Sequence, residues 1–241
     1  LNNQFGIIRM RASMQTAIYF LLVTACPEMH LLYAGDIAAL AFLISIYFLF
    51  RSYQQSHSSG HLFYSFFFIG AGSILFPQLW LLESYRFQSL TPRSFCGALL
   101  GWMLPYWMLF GHAFFYNEME LFYRPFNQLL TFGEVFNLQI LQPWELAILG
   151  YLLVMFIVSA VHCVAAGFED KIRTRAYLQF LIDLTFFLFL LIALQPLLII
   201  SSSILIGHFF VLTNSKSSNV FFIISLVGLI LLFAFNIWTL L

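Results

Sequence analysis

Charge is the first thing this sequence has little of. Asp, Glu, Lys and Arg together make up 8% of its 241 residues, against 62% hydrophobic. A soluble domain averages about 25% charged and roughly 45–50% apolar, so this chain could not cover a water-facing surface. Net charge is zero, and no basic tract with interleaved aromatics is present, which excludes the electrostatic footprint of a nucleic-acid binder. Cysteine is scarce too. The three cysteines, Cys26, Cys96 and Cys163, are odd in number and have no CxxC spacing, so they read as small buried hydrophobes, not as a disulfide framework or metal site. HExxH and similar ligand spacings are also absent, so neither a metal nor a cofactor is expected.

What is present is apolar. Phe alone contributes 31 residues. A soluble protein of this composition would aggregate, whereas a bilayer solvates it. Hydrophobic runs fall at about 14–33, 36–50, 62–76, 77–90, 95–116, 144–165, 177–195, 196–213 and 220–240. Pro27, Pro77 and Pro196 mark turning or kink points, because proline removes a backbone donor and disfavours helix at the preceding residue.

Lys and Arg collect in cytoplasmic loops near helix ends. With about nine crossings and the Arg9/Arg11 end inside, Arg51, Arg86, Arg93, Lys171, Arg173, Arg175 and Lys216 fall on the same cytoplasmic side. Only Arg124 falls outside, whereas fusing 62–90 into one helix would scatter these cations over both faces. Glu28, Asp36, Glu118, Glu120, Glu134 and Glu145 fall on the outer side, and Trp80, Trp144 and Trp238 lie near that interface. The sequence therefore predicts an all-α polytopic bundle of about nine (eight or nine) transmembrane segments with its N-terminal end cytoplasmic, forming a single membrane domain over 1–241. Leu1 stands where a Met is usual, and Leu1-Asn2-Asn3-Gln4 reads like the exit from an earlier segment, so earlier helices are expected. No small-residue signal-peptide cleavage site is clear. The long outer connection, 117–143, places Phe122, Tyr123, Phe126, Leu129, Leu130 and Phe136 among polar residues, the alternation of a helix lying in the interface plane.

Ionisable groups inside a membrane cost about 2.5–3.5 kcal/mol at a helix centre, so each needs a reason. Asp183, His162, His208 and Glu83 are expected at similar depth in the inner leaflet. They form either a polar pocket with Asp183 as proton acceptor or cation ligand, or a set of interhelical hydrogen bonds. On the outer side Glu28, His30, Asp36, His112, Glu118 and Glu120 form either a weak acid–base constellation or a solvated acidic rim. Gly97 and Gly101 make a GxxxG, Gly70 and Gly72 a second small-residue surface, and Ser203 and Gly207 repeat the spacing; each lets helices approach closely, within the bundle or to a partner helix. Pro105 among Trp102, Tyr106 and Trp107 predicts a kinked helix.

Arg9, Arg11 and Ser13, the glycines before Phe76-Pro77, Arg86, Pro92-Arg93-Ser94, and Gly101 with Leu104-Pro105-Tyr106 form a pattern over roughly the first half of the chain. It resembles an uncharacterised family of bacterial multi-pass inner-membrane proteins, which is distantly similar to the membrane halves of polyprenyl-phosphate-sugar glycosyltransferases and polysaccharide polymerases. That resemblance implies a bacterial inner-membrane location, a lipid-linked glycan as partner and an early outer acid as catalytic base. Glu28 and Asp36 are the residues of this chain that could fill the last role. Three functions follow as expectations: a scaffold or accessory subunit in envelope biogenesis bound to membrane lipids or a partner subunit, a protein handling lipid-linked sugars, or a proton- or ion-coupled transporter using the Asp183/histidine cluster.

Overall fold

The computed structural model describes residues 5, 7, 13–26, 34–53, 55, 58–82, 91–130, 142–167, 170–191, 194–213 and 215–240, and among them there is no strand. The helices are α1 (Met14–Ala25), α2 (Ala34–Ser52), α3 (Ser59–Leu75), α4 (Pro92–Phe115), α5 (Met119–Leu130), α6 (Pro143–Ala166), α7 (Ile172–Leu190), α8 (Gln195–Leu212) and α9 (Lys216–Leu240). A 3₁₀ turn covers Pro77–Leu82. Five of these helices, α2, α4, α6, α8 and α9, are long and apolar enough to cross a membrane, while α1 and α3 are shorter apolar helices. The chain divides into two compact units, one holding residues 1–32 and 137–241, the other residues 33–136.

Local chemistry sets the helix ends. Thr91 and Ser94 cap α4 reciprocally, with Ser94 N–H donating to Thr91 Oγ1 at 3.2 Å and Thr91 N–H donating to Ser94 Oγ at 3.0 Å, and Pro92 opens the first turn. Glu145 reaches back to accept from Gln142 N–H at 2.7 Å at the start of α6. Phe76 ends α3 and Pro77 begins the 3₁₀ turn. Pro196 occupies the first turn of α8, where no donor is lost. Pro27, the third expected breakpoint, lies outside the described residues.

In the unit of residues 33–136, α2 and α3 form an antiparallel pair. Ser45 and Ser65 hydroxyls meet at 2.9 Å, Phe48 stacks on His61 and Phe68, and Gly72 faces Ala38. On its other face α3 runs parallel to α4. Gly97 lies over the Ser59 carbonyl, Gly101 over the Phe63 carbonyl and Gly70 over the Trp102 carbonyl and Pro105, and the Ser73 and Tyr106 hydroxyls are 2.9 Å apart. Both contacts rise together in residue number, so the chain leaving Leu75 at one end of the pair returns to Pro92 at the other. α4 runs on through Pro105, which is buried against Gly70. Gly70 and Gly72, two positions apart and so on different faces of the helix, serve different neighbours. The glycine surfaces expected from the sequence are thus occupied within the chain, and Gly97 and Gly101 are spent on α3.

Asn117 then reverses the chain. It is the described non-glycine residue with positive φ (55°). Glu118 N–H bonds to Ala113 O at 2.8 Å and Asn117 N–H to Phe114 O at 3.4 Å, the paired bonds of a left-handed helix stop. α5 folds back on α4, with Phe122 against Phe110 and Phe126 against Tyr106 at ring separations of 5.3 and 5.5 Å. Tyr123 and Arg124 face outward. The amphipathic helix expected within 117–143 is therefore present over Met119–Leu130; residues 131–141 lie outside the described residues.

In the other unit α8 is central, with Leu197, Leu198, Ser202, Leu205 and His208 all 1% exposed or less. Its Ser201 and Ser203 hydroxyls donate to the carbonyls of Leu198 and Ile200, which satisfies these two buried side chains within the helix itself. Gly207 admits α1, since a Cβ there would stand 2.8 Å from Gln15 Cβ. The side-chain amide of Asn236 on α9 donates to the Ala25 carbonyl, satisfying the last turn of α1. α6 lies alongside α8 in the same direction: Ile148 and Leu152 meet Leu198 and Ile199 at one end, Cys163 meets His208 at the other. Within each unit most of the described cations therefore gather at one end. Lys171, Arg173, Arg175 and Lys216 share the end where α6 and α8 stop and α7 and α9 start, opposite Glu145. In the second unit Arg51 and Arg93 share one end, while Asp36, Glu118, Glu120 and Arg124 share the other.

Candidate functional site

The basic end of the α6–α9 unit holds a buried polar cluster. The last turns of α6 supply His162 and Cys163, the last turns of α8 supply His208, and Asp170 sits in the short turn between α6 and α7. Cys163 Sγ is 3.3 Å from His208 Nδ1, and the other ring nitrogen of His208 is 3.7 Å from Asp170 Oδ2. The His208 and Asp170 side chains are 0% and 1% exposed. His162 stands beside them: its ring centre is 6.2 Å from that of His208 and its Nε2 is 3.3 Å from Thr213 Oγ1. Phe209 packs edge-on against His162.

This geometry orders the groups as thiol, imidazole, carboxylate. A thiol donating to Nδ1 leaves the proton of a neutral ring on Nε2, facing the carboxylate. At 3.7 Å the pair lies beyond a direct hydrogen bond but within ion-pair range. The turn is held by Arg175, whose Nη2 donates to the Asp170 carbonyl at 3.4 Å. Arg173 is engaged elsewhere, donating to the Tyr177 hydroxyl at 2.6 Å with its guanidinium over the same ring. No group of three His, Cys, Asp or Glu among the described residues could hold a metal ion.

Of the residues predicted to share an inner-leaflet cluster, His162 and His208 come together. Asp183 takes a different place. The helix that carries it starts at Ile172, ahead of the expected Tyr177, because Arg173 and Arg175 belong to its first turns and not to a loop. Asp183 is therefore about 16 Å along the helix, half-buried, accepting from Gln179 Nε2 at 3.3 Å. Arg175, Gln179 and Asp183 recur at four-residue intervals and form one polar stripe on α7. Glu83, Glu28 and His30 lie outside the described residues. Asp36 opens α2 and Glu120 opens α5, where the helix dipole favours a carboxylate. His112 packs on Tyr116 at 4.6 Å. Asp170 and Cys163 were not singled out by the sequence reading. Asp170 sits in Glu169-Asp170-Lys171, a run that reads as solvated turn charge, and a cysteine in an apolar helix reads as a small hydrophobe.

No family model, curated protein or solved structure matches this chain.

Proposed function

We propose that this chain is a multi-pass protein of the bacterial inner membrane, crossing it about nine times with the N-terminal end in the cytoplasm, and that it works as a proton-coupled transporter. The reading is carried by one observation: His208, completely buried, stands between the Asp170 carboxylate and the Cys163 thiol with His162 alongside. A charge-bearing pair within a hydrophobic bundle is costly, and in membrane proteins such pairs mark proton relays and ion pathways. The parallel packing of α3 and α4 supports the crossing count, because the chain must come back between them, as a separate crossing over 77–90 requires. The charge separation within each unit supports the assignment of a basic cytoplasmic end.

Proteoliposomes loaded with a pH-sensitive dye and given an acid step outside should acidify faster with the wild type than with His208→Gln or Asp170→Asn at matched protein content. Equal rates in all three remove the proposal.

A second reading, a scaffold or accessory subunit in envelope biogenesis, is favoured by the breadth of apolar surface on α9, where Ile223, Ile224, Ile230 and Leu231 are 58–64% exposed. A partner subunit on that face would co-purify in stoichiometric amount, and phospholipid alone would leave the face to the bilayer. The glycan-handling reading rests on Glu28 and Asp36, of which only Asp36 is described, at the start of a spanning helix.

A further inference from the structure

Between the last turns of α6 and the first three turns of α7 lies a groove of about 190 Å³. Two kinds of wall meet in it. Val164, Leu178 and Ile182 make it apolar over most of its length, while Arg175 and Gln179 bring charge and an amide to it from the polar stripe of α7. Gly167 shapes the mouth: a Cβ at this position would sit 3.9 Å from Arg175 Cγ, so the arginine stem lies across the glycine and the guanidinium is held at the basic end by the Asp170 carbonyl. None of the described residues lining the groove is acidic. Asp183, one turn deeper than Gln179, ends the polar stripe with a carboxylate.

The surroundings say what kind of molecule reaches this groove. Val161, Val164 and Ile172 are 65%, 59% and 74% exposed; apolar side chains this open on a membrane helix face hydrocarbon. Lys171 and Arg173 are exposed in the same stretch of chain at the start of α7. A cation at the membrane end of a helix, above an apolar trough that faces lipid, matches an amphiphile carrying a negative head on a hydrocarbon chain. Basic pockets between helices on the cytoplasmic side hold anionic lipid headgroups by this chemistry. Guanidinium suits it because its planar fork takes two phosphate oxygens at once.

We propose that the α6–α7 groove is a binding site for one anionic phospholipid, its phosphate on Arg175 and Gln179 and the start of an acyl chain along Leu178, Ile182 and Val164. The Asp183 carboxylate limits how deep a negative head can descend. The groove shares Cys163 with the His208 cluster, and Arg175 also holds the Asp170 turn, so Val164→Trp is the variant that separates the two proposals: it should lose the lipid and keep proton uptake.

Native mass spectrometry of the full chain in mild detergent, titrated with phosphatidylglycerol or phosphatidylcholine, tests it. The wild type should retain one phosphatidylglycerol in preference to phosphatidylcholine. Arg175→Gln should weaken that binding about tenfold, and Arg175→Lys, which keeps the charge but loses the fork, should fall between the two. Val164→Trp, at an exposed position, should block the trough without touching the arginine. Arg93→Gln, a cation of the other unit, should change nothing. Equal retention of the two lipids, full binding by both Arg175→Gln and Val164→Trp, or displacement of the lipid by millimolar inorganic phosphate would overturn the proposal; the last would mean that an anion pocket, not a lipid groove, is present.

Discussion

Cys163 Sγ and His208 Nδ1, 45 residues apart in the chain, lie 3.3 Å from each other in the interior of the α6–α9 unit. The contact joins two helices running in the same direction, with α7 carried between them as the return. It also turns the opposite edge of the imidazole toward Asp170.

That arrangement makes the imidazole energetically necessary. Replacing His208 by Leu removes the ring that faces the buried Asp170 carboxylate, and taking one partner from a buried polar contact costs about 1–3 kcal/mol. Thermal unfolding in detergent should therefore show a large loss for His208→Leu, and a much smaller one for the double variant His208→Leu/Asp170→Asn. If the double variant is no better than the single, the two side chains are not coupled.

Glycine contacts on α4 give a matched pair of expectations. At Gly101 a Cβ would overlap the Phe63 carbonyl of α3, whereas Gly111 has nothing within 4 Å. Gly101→Ala should cost about 1–3 kcal/mol through overpacking. Gly111→Ala, relieved of glycine's backbone entropy, should be neutral or up to about 1 kcal/mol stabilising. A reversed order of unfolding temperatures would contradict the close approach of α3 and α4.

The parallel run of α3 and α4 predicts which sites share a membrane face. In a background with Cys26, Cys96 and Cys163 replaced by Ser, a membrane-impermeant maleimide should reach Ser58→Cys and Thr91→Cys from one side. It should reach Phe76→Cys and Asn117→Cys from the other. Labelling of Phe76→Cys and Thr91→Cys from the same side would exclude a return across the bilayer between them.

Asn117 is expected to tolerate only residues at ease in the left-handed region. Asn117→Gly should keep the turn between α4 and α5. Asn117→Val should cost about 1–3 kcal/mol, because a branched side chain at φ 55° meets the backbone. Equal unfolding temperatures for the two variants would mean that the turn does not hold α5 against α4.

The features legible in the sequence are those fixed by near neighbours. Pro77 marks the break after α3 and Pro196 the start of α8, since a missing donor acts within one turn. The alternation around Phe122 and Phe126 foretells α5, because an interface sorts apolar from polar residues on a single helix. The start of α7 is harder to read: Arg173 and Arg175 look like loop charge, yet long basic side chains reach water from a helix's first turns.

By itself, the sequence determined that this chain is helical, with segments apolar enough to cross a membrane, because solvation by lipid leaves so little room for charge and constrains each segment separately. Only the tertiary structure decided that Gly97 and Gly101 serve α3 and not another chain, that Asp183 belongs to a polar stripe with Arg175 and Gln179, and that Asp170, His208 and Cys163 form one buried cluster. Those outcomes depend on which helix faces meet. Between apolar segments of similar hydrophobicity, that is decided by shape and by a few buried hydrogen bonds rather than by any pattern within one segment.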